Sequence, residues 1–179
     1  MKIVLLCEDS QHEAFTRRFL EGMGWNTREL RLEKSPSAGG AAEQYVRERF
    51  PIELGVYRQR KARAASALIA MVDADLREVQ DRISEFRTEC DSKAIQFRTE
   101  DEAVAIAVPK KNIETWIQYL NGEQVNEQET YPRLARERLC KPAVDELVRL
   151  CRSTGLAPYA PASLSAACVE YNTRIKPVR

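Results

Sequence analysis

The sequence has 179 residues, a length that suits one compact domain with room for a helical addition. Its 28 basic and 27 acidic residues nearly cancel, and a net charge of +1 argues against a protein that coats nucleic acid with a uniform basic surface. Five cysteines without C-x-x-C spacing, beside a single histidine, argue against a zinc site or a disulfide framework. Because the N-terminal apolar run is too short for a signal peptide or a membrane span, we expect a reduced, cytoplasmic protein.

The first elements along the chain are predicted to be a strand, a loop and a helix. Ile3 to Cys7 is fully apolar and rich in branched residues, which is typical of a buried parallel strand. Ser10 is predicted to cap the following helix, with Glu13 as its capping-box partner. Residues 27–32 then alternate polar and apolar side chains, which favours a half-exposed strand.

The middle of the chain is predicted to hold helices around a second buried strand. Residues 41–50 and 57–65 have helical patterns, and Pro51 is expected to interrupt the helix between them. The run 67–72 is fully apolar and indicates a buried strand, and residues 76–89 have the spacing of a helix.

The last part of the chain is predicted to turn from strands to helices. Residues 94–97 and 103–108 are short strand candidates, Asn112 can cap a short helix, and the chain from about residue 134 is helical apart from a turn at 155–161.

Strands that alternate with helices predict an α/β fold with right-handed crossovers. We expect a mainly parallel sheet of about four strands flanked by helices, formed by residues 1–122. Residues 123–179 carry no strand signal and are expected to form a helical C-terminal extension packed on this core.

Acidic side chains follow both buried strands. Glu8 and Asp9 come after the first strand, and Asp73 and Asp75 come after the strand at 67–72. The carboxyl ends of parallel strands share one edge of the sheet, so these acids would lie close together and repel each other. Mg²⁺ or Mn²⁺ would neutralise them, since both prefer oxygen ligands. The alternative is that such acids only cap the next helix, a role open to Asp75 in particular.

The order of these motifs resembles the TOPRIM fold, which occurs in topoisomerases, bacterial primases and nucleases of the overcoming-lysogenization-defect type. The glutamate of that family matches Glu8, and its D-x-D matches Asp73 and Asp75. The chain is most similar to small stand-alone bacterial TOPRIM-like proteins that are often encoded beside an ATPase. Their I-E-x-W element matches residues 109–116, and a late turn into the final helix matches residues 161–164.

The resemblance implies a Rossmann-like sheet and metal-assisted phosphoryl chemistry on DNA or RNA. Asp73 and Asp75 would hold the Mg²⁺ or Mn²⁺ ion, and Glu8 would be a ligand or a general acid–base group. Asp9 and Glu114 are further candidate ligands, although an acid in the first turn of a helix also interacts favourably with the helix dipole. The activity implied is that of a nuclease working with a partner ATPase in defence or repair.

Phosphate binding would need cations beside the carboxylate edge. Lys110 and Lys111 follow the strand at 103–108 and are the candidates, whereas the denser basic run at 58–63 is typical of a solvated helix face. His12, in the first turn of the first helix, has the chemistry to move a proton, but a lone surface histidine is more often inert. Trp116 is predicted to lie in the core.

Two other functions are open, the first because Asp9 stands where the TOPRIM glutamate is usually followed by glycine and because the net charge is modest. One is a non-catalytic TOPRIM-like module that binds and regulates a partner such as an ATPase. The other is a receiver-like signalling domain, which residues 4–10 also resemble, with Asp73 as phosphoacceptor and Lys110 as its late lysine. The D-x-D pattern and the long gap from Glu8 to Asp73 do not match a receiver.

Overall fold

The structure is a computed structural model and describes residues 2–36, 41–153 and 155–178. Its centre is a parallel sheet of four strands in the spatial order β2-β1-β3-β4. The strands are β1 (Lys2–Cys7), β2 (Arg31–Lys34), β3 (Ser66–Met71) and β4 (Val104–Ala107). The predicted α/β class and parallel four-stranded sheet are therefore confirmed.

Helices flank the sheet along the described parts of the chain. They are α1 (Ser10–Gly22), α2 (Ala42–Lys61), α3 (Val79–Ser92), α4 (Ile113–Leu120), α5 (Lys141–Arg152) and α6 (Ala162–Glu170). A π-helical turn, Tyr171–Ile175, continues α6. Among these described helices, none combines the length and the apolar character needed to cross a membrane.

Both faces of the sheet are covered, since all six residues of β3 are buried. On one face α2 and α3 pack together, with the rings of Phe50 and Phe86 4.9 Å apart at their centroids. Elsewhere α5 contacts α1 and α4, and α6 contacts β4. Residues on both sides of position 122 share one buried cluster, which contains Ile69 of β3 as well as Leu147 and Leu164 of the C-terminal helices.

The outer side of β4 is closed by the end of α6. The backbone N–H of Ile106 donates to the Glu170 carboxylate at 3.0 Å, and Arg98 forms an ion pair with the same carboxylate. A side chain therefore takes the place of a neighbouring strand at this position.

The predicted break at Pro51 is wrong, because α2 runs through this residue without interruption. A proline inside a helix removes one backbone hydrogen bond and crowds the preceding turn. Here Val46, Phe50, Leu54 and Tyr57 are all buried on both sides of the proline. Their packing against the core keeps the helix continuous, since tertiary burial contributes more to helix stability than local propensity does.

Two strand predictions also differ from the structure. The segment 27–32 begins as a 3-10 turn, in which Asn26 accepts the N–H of Arg28, and pairing starts only at Arg31. Residues 94–97 form no strand, because the carbonyls of Gln96 and Phe97 accept hydrogen bonds from Arg58 instead of from a neighbouring strand.

The strand order creates a switch point at the centre of the sheet. From β1 the chain moves to β2 on one side and then crosses to β3 on the other, so the segments that follow β1 and β3 diverge. Ligands of open α/β sheets bind in the crevice that such a divergence leaves. The β1–β3 register pairs Cys7 with Met71, which brings the residues that follow each strand side by side.

We expect Phe50→Ala to lower the free energy of unfolding by about 3–5 kcal/mol, because its ring is fully buried next to Pro51 and packs on Phe86. The matched control is Ile52→Ala in the same helix, whose side chain is exposed and whose loss should cost about 1 kcal/mol or less. Urea denaturation of both variants measures the difference. Equal losses would contradict the packing of α2 described above.

Candidate functional site

Glu8 and Asp73 meet at the switch point between β1 and β3. The backbone N–H of Asp73 donates to Oε1 of Glu8 at 2.6 Å, so the Glu8 side chain links the ends of the two central strands. Both residues lie just past the sheet, Glu8 directly after β1 and Asp73 two residues after β3. The structure thus brings together one acid from each of the two predicted acidic motifs.

His12 completes this contact from α1. Its Nε2 lies 3.0 Å from Oδ1 of Asp73, and the residue is 1% exposed. The prediction of a surface histidine is therefore wrong. Its position was readable from the helical period, because His12 precedes Phe15 and Phe19 by three and seven residues and so shares their buried face.

Asp9 is the N-cap of α1. Its Oδ1 accepts the N–H groups of Gln11 and His12 at 2.9 and 3.0 Å, and its Oδ2 accepts a bond from Arg133 at 3.0 Å. The predicted cap, Ser10, is instead the first helical residue, and its hydroxyl donates to Glu137. Both oxygens of Asp9, a candidate metal ligand, are thus engaged in holding the helix and a neighbouring loop.

The two aspartates of the D-x-D differ sharply in environment. Asp73 is buried, whereas the side chain of Asp75 is 60% exposed and its nearest cation, Arg82, is 3.9 Å away. Asp75 has a left-handed backbone with φ of 56°, a conformation that aspartate tolerates better than most residues. It does not cap α3, since Glu78 occupies the N-cap position.

Glu114 is buried in the first turn of α4, beyond the end of β4. Burial raises the pKa of its carboxyl group, and the negative charge of Asp73 adds to the rise. Trp116 in the same helix lies in the core as predicted, and its indole N–H donates to Ser163 at 2.7 Å. Glu114 therefore belongs to the same electrostatic environment as Asp73.

The two predicted phosphate-binding lysines occupy different environments. Lys110 is buried, and its Nζ donates to the carbonyl of Arg77 at 2.6 Å and to Glu78 at 2.7 Å. Its charge is therefore used to hold the loop that follows β3. Lys111 is half-buried, and its charge opposes the rise that burial and Asp73 produce in the pKa of Asp75.

Burial sets the charge state of the site. It raises the pKa of Glu8 to about 7, with Asp73 contributing in the same direction and His12 opposing. Burial also disfavours a charged His12, but Asp73, Asp9 and Glu8 raise the pKa of the imidazole to about 9. Near neutral pH these interactions favour the charged form of His12, and burial favours the protonated form of Glu8.

The donor chemistry of the site suits a hard divalent cation. Glu8 uses Oε1 and Asp73 uses Oδ1 in the bonds described above, which leaves one oxygen of each carboxylate for a cation. As the side chains stand, no group of three or more acidic, histidine or cysteine side chains in the described ranges is arranged to hold a metal ion. Glu8 and Asp73 would therefore form the core of the site, with Glu114 and Asp75 as further acids whose pKa the charge of Asp73 raises.

Comparisons of this chain with protein-family models, with curated proteins and with solved structures give no match. The resemblance to TOPRIM proteins therefore depends on the motifs in the chain itself.

Asp9→Ala is expected to lower the free energy of unfolding by about 1 kcal/mol, because two N–H groups of α1 lose their acceptor. Asp9→Asn keeps an oxygen in the same position and should cost clearly less. Thermal and urea unfolding compare the two. Equal destabilisation by both variants would mean that the charge of Asp9, and not its capping bonds, is what stabilises the fold.

The single histidine of the chain makes its titration unambiguous by NMR. We expect a His12 pKa of about 9, and a lower value in Asp73→Asn, which loses the charged partner at 3.0 Å. Because the folded pKa exceeds the ordinary 6.5, this interaction stabilises the fold fully below pH 6.5 and is lost as the pH rises to about 9.

The corresponding stability measurement compares the wild type with His12→Gln between pH 7 and 9.5. The wild type should lose more unfolding free energy over this interval than the variant. A His12 pKa at or below 6.5 would contradict the assignment of an imidazolium to this site.

Proposed function

We propose that this protein binds Mg²⁺ or Mn²⁺ at the Glu8–Asp73 site and hydrolyses phosphodiester bonds in DNA or RNA. The observation that carries the proposal is the hydrogen bond from the backbone N–H of Asp73 to the Glu8 carboxylate at the switch point of a parallel sheet. Burial and the charge of Asp73 both raise the pKa of Glu8, so ionising both carboxylates is costly unless positive charge neutralises them. A divalent cation supplies more of that charge than the His12 imidazolium alone.

Each residue of the site has a distinct role in this proposal. Asp73 and Glu8 would hold the ion, with Glu114 and Asp75 as additional ligands. The ion, when bound, would supply Lewis-acid stabilisation of the phosphoryl oxygens. The alternative role of Glu8 is that of a general acid–base group, since a Glu8 carboxyl that is not bound to the ion has a pKa that burial raises to about 7. His12 is a positioning residue, because its bond to Oδ1 fixes the orientation of the Asp73 carboxylate.

Substrate phosphates would meet cations other than Lys110, since that side chain is held by Arg77 and Glu78. The charge of Lys111 acts on Asp75, so Lys111 is the better placed of the two predicted lysines. Arg133 is a cation that the motif analysis missed. Its side chain is 76% exposed and reaches Asp9, so it extends from the C-terminal part of the chain to the carboxylate edge.

The resemblance adds a partner ATPase and a role in defence or repair to this proposal. The alternative is a non-catalytic module that binds and regulates such a partner. The ion pair of Lys110 with Glu78 favours that alternative, because a lysine next to the site stabilises the fold instead of binding substrate. The same contacts weaken a receiver-like function, since Lys110 would be its late lysine.

Metal binding is tested by titrating Mg²⁺ and Mn²⁺ into the protein and following the His12 resonances. A cation at Asp73 should lower the His12 pKa, because the two positive charges repel. Glu8→Gln and Asp73→Asn are each expected to weaken binding at least about tenfold, the effect of roughly 1.4 kcal/mol. Asp91→Asn, an exposed acid at the end of α3, is the control and should bind as the wild type does. Unchanged affinity in Asp73→Asn would overturn the site.

Cleavage is tested with single- and double-stranded DNA and RNA in the presence of Mg²⁺ or Mn²⁺. Glu8→Gln and Asp73→Asn should lower the rate by about a hundredfold or more, whereas Lys111→Ala should weaken substrate binding with a smaller effect on the rate of the bound complex. Metal binding without cleavage of any of these substrates, alone and with an ATPase partner, would favour the regulatory alternative.

A further inference from the structure

Two cysteines of the C-terminal helices lie next to each other. Cys151 is in the last turn of α5 and Cys168 is near the end of α6, and their sulfur atoms are 3.8 Å apart. They are 17 residues apart in the sequence. A disulfide has a sulfur–sulfur distance of about 2.05 Å, so the two atoms need to approach by less than about 2 Å.

This pair differs from the other cysteines in accessibility. Cys7, Cys90 and Cys140 are buried, whereas Cys151 and Cys168 are both half-exposed. Burial raises the pKa of Cys7 to about 12 and that of Cys90 to about 11, which keeps both thiols protonated and unreactive. An oxidant in solution would therefore meet the Cys151–Cys168 pair first.

The surroundings of the pair leave room for the small movement that a bond requires. Cys168 lines a largely apolar cavity of about 60 Å³, which is bounded by β3, β4 and helices on the same face of the sheet. Met71, Trp116 and Leu147 are among the other side chains around it. Because the interior beside Cys168 is incompletely filled, α6 can shift toward α5 without forcing core side chains into each other.

The electrostatics of the pair distinguish its two members. With the Cys168 thiol as donor, the hydrogen bond between the sulfurs lowers the pKa of Cys151 against the effect of burial, and Lys176 lowers it further. The same hydrogen bond, together with burial, raises the pKa of Cys168. The positive charge of Lys176 favours the thiolate of Cys151, which makes Cys151 the expected nucleophile and Cys168 the thiol that resolves its oxidised form.

We propose that Cys151 and Cys168 form a reversible disulfide when the protein meets a peroxide, a modification site separate from the Glu8–Asp73 site. The Cys151 thiol loses its proton, and the thiolate attacks one oxygen of hydrogen peroxide. The O–O bond breaks, sulfenic acid forms on Cys151, and the leaving hydroxide takes up the released proton and departs as water. The sulfur of Cys168 then attacks the sulfenic sulfur of Cys151, and the S–O bond breaks to release a second water. Two thiols and one peroxide give one disulfide and two waters, and a dithiol reductant reverses the change.

The consequence is a covalent link between the two C-terminal helices. Helix α5 contacts both α1 and α4, which carry His12 and Glu114, while α6 contacts the edge strand β4. Oxidation would therefore link α5, which packs on the two helices that carry His12 and Glu114, covalently to α6, which packs on β4.

The test treats the folded, full-length protein with a small excess of hydrogen peroxide, then blocks free thiols and digests with trypsin without reduction. Cleavage after Arg149, Arg152 and Arg174 places Cys151 in residues 150–152 and Cys168 in residues 153–174. We expect these two peptides to appear as one cross-linked species that dithiothreitol separates. The thiol count of the unfolded protein should fall from five to three, and dithiothreitol should restore it.

Variants assign the reaction to the pair. Cys151→Ser and Cys168→Ser should each abolish the cross-linked species, and Cys168→Ser should instead accumulate sulfenic acid at Cys151 that a dimedone probe captures. Cys90→Ala, which alters a buried thiol, should retain the cross-link. Irreversible oxidation of Cys151 in the wild type, or a cross-link that involves Cys7, Cys90 or Cys140, would overturn the proposal.

Discussion

The parallel pairing of β1 with β3 is the constraint on which the candidate site depends. This pairing aligns Cys7 with Met71, so the chain leaves the sheet at Glu8 and at Asp73 within a single hydrogen bond's reach. The apolar runs that form both strands are buried on both faces, and their burial supplies the free energy that holds two acids together at one edge. The acids are a local cost that the core offsets.

The connection between β1 and α1 stabilises the acids at this edge. One buried imidazolium lies among the carboxylates, and the first turn of α1 is held in place because Asp9 caps it. His12 is therefore held in position by Asp9, the neighbouring acid that accepts hydrogen bonds from the α1 backbone. Residues 8–12 thus supply the cap of α1, the group that orients the Asp73 carboxylate and the positive charge beside the acids. This makes them a structural unit as well as a chemical one.

Much of this fold could be predicted from the sequence, because fully apolar runs such as 3–7 and 67–72 specify buried strands strongly. The errors arose where a tertiary contact outweighs a local rule, as in the uninterrupted helix at Pro51. In the site, the two aspartates of the D-x-D could be read from the sequence. The left-handed backbone conformation of Asp75 could not. The Lys110 side chain is buried because it bonds a carbonyl and a carboxylate that are more than 30 residues away in the sequence. No local sequence pattern specifies such partners.

The closure of β4 by Glu170 has a consequence for how copies of the protein behave toward each other. An open edge strand offers unpaired N–H groups on which another chain can add a strand, and this is a common route to aggregation. Glu170 accepts the N–H of Ile106, and its ion pair with Arg98 holds the carboxylate in place at that edge. Glu170, at the end of α6, thus blocks the addition of a strand from another chain at β4.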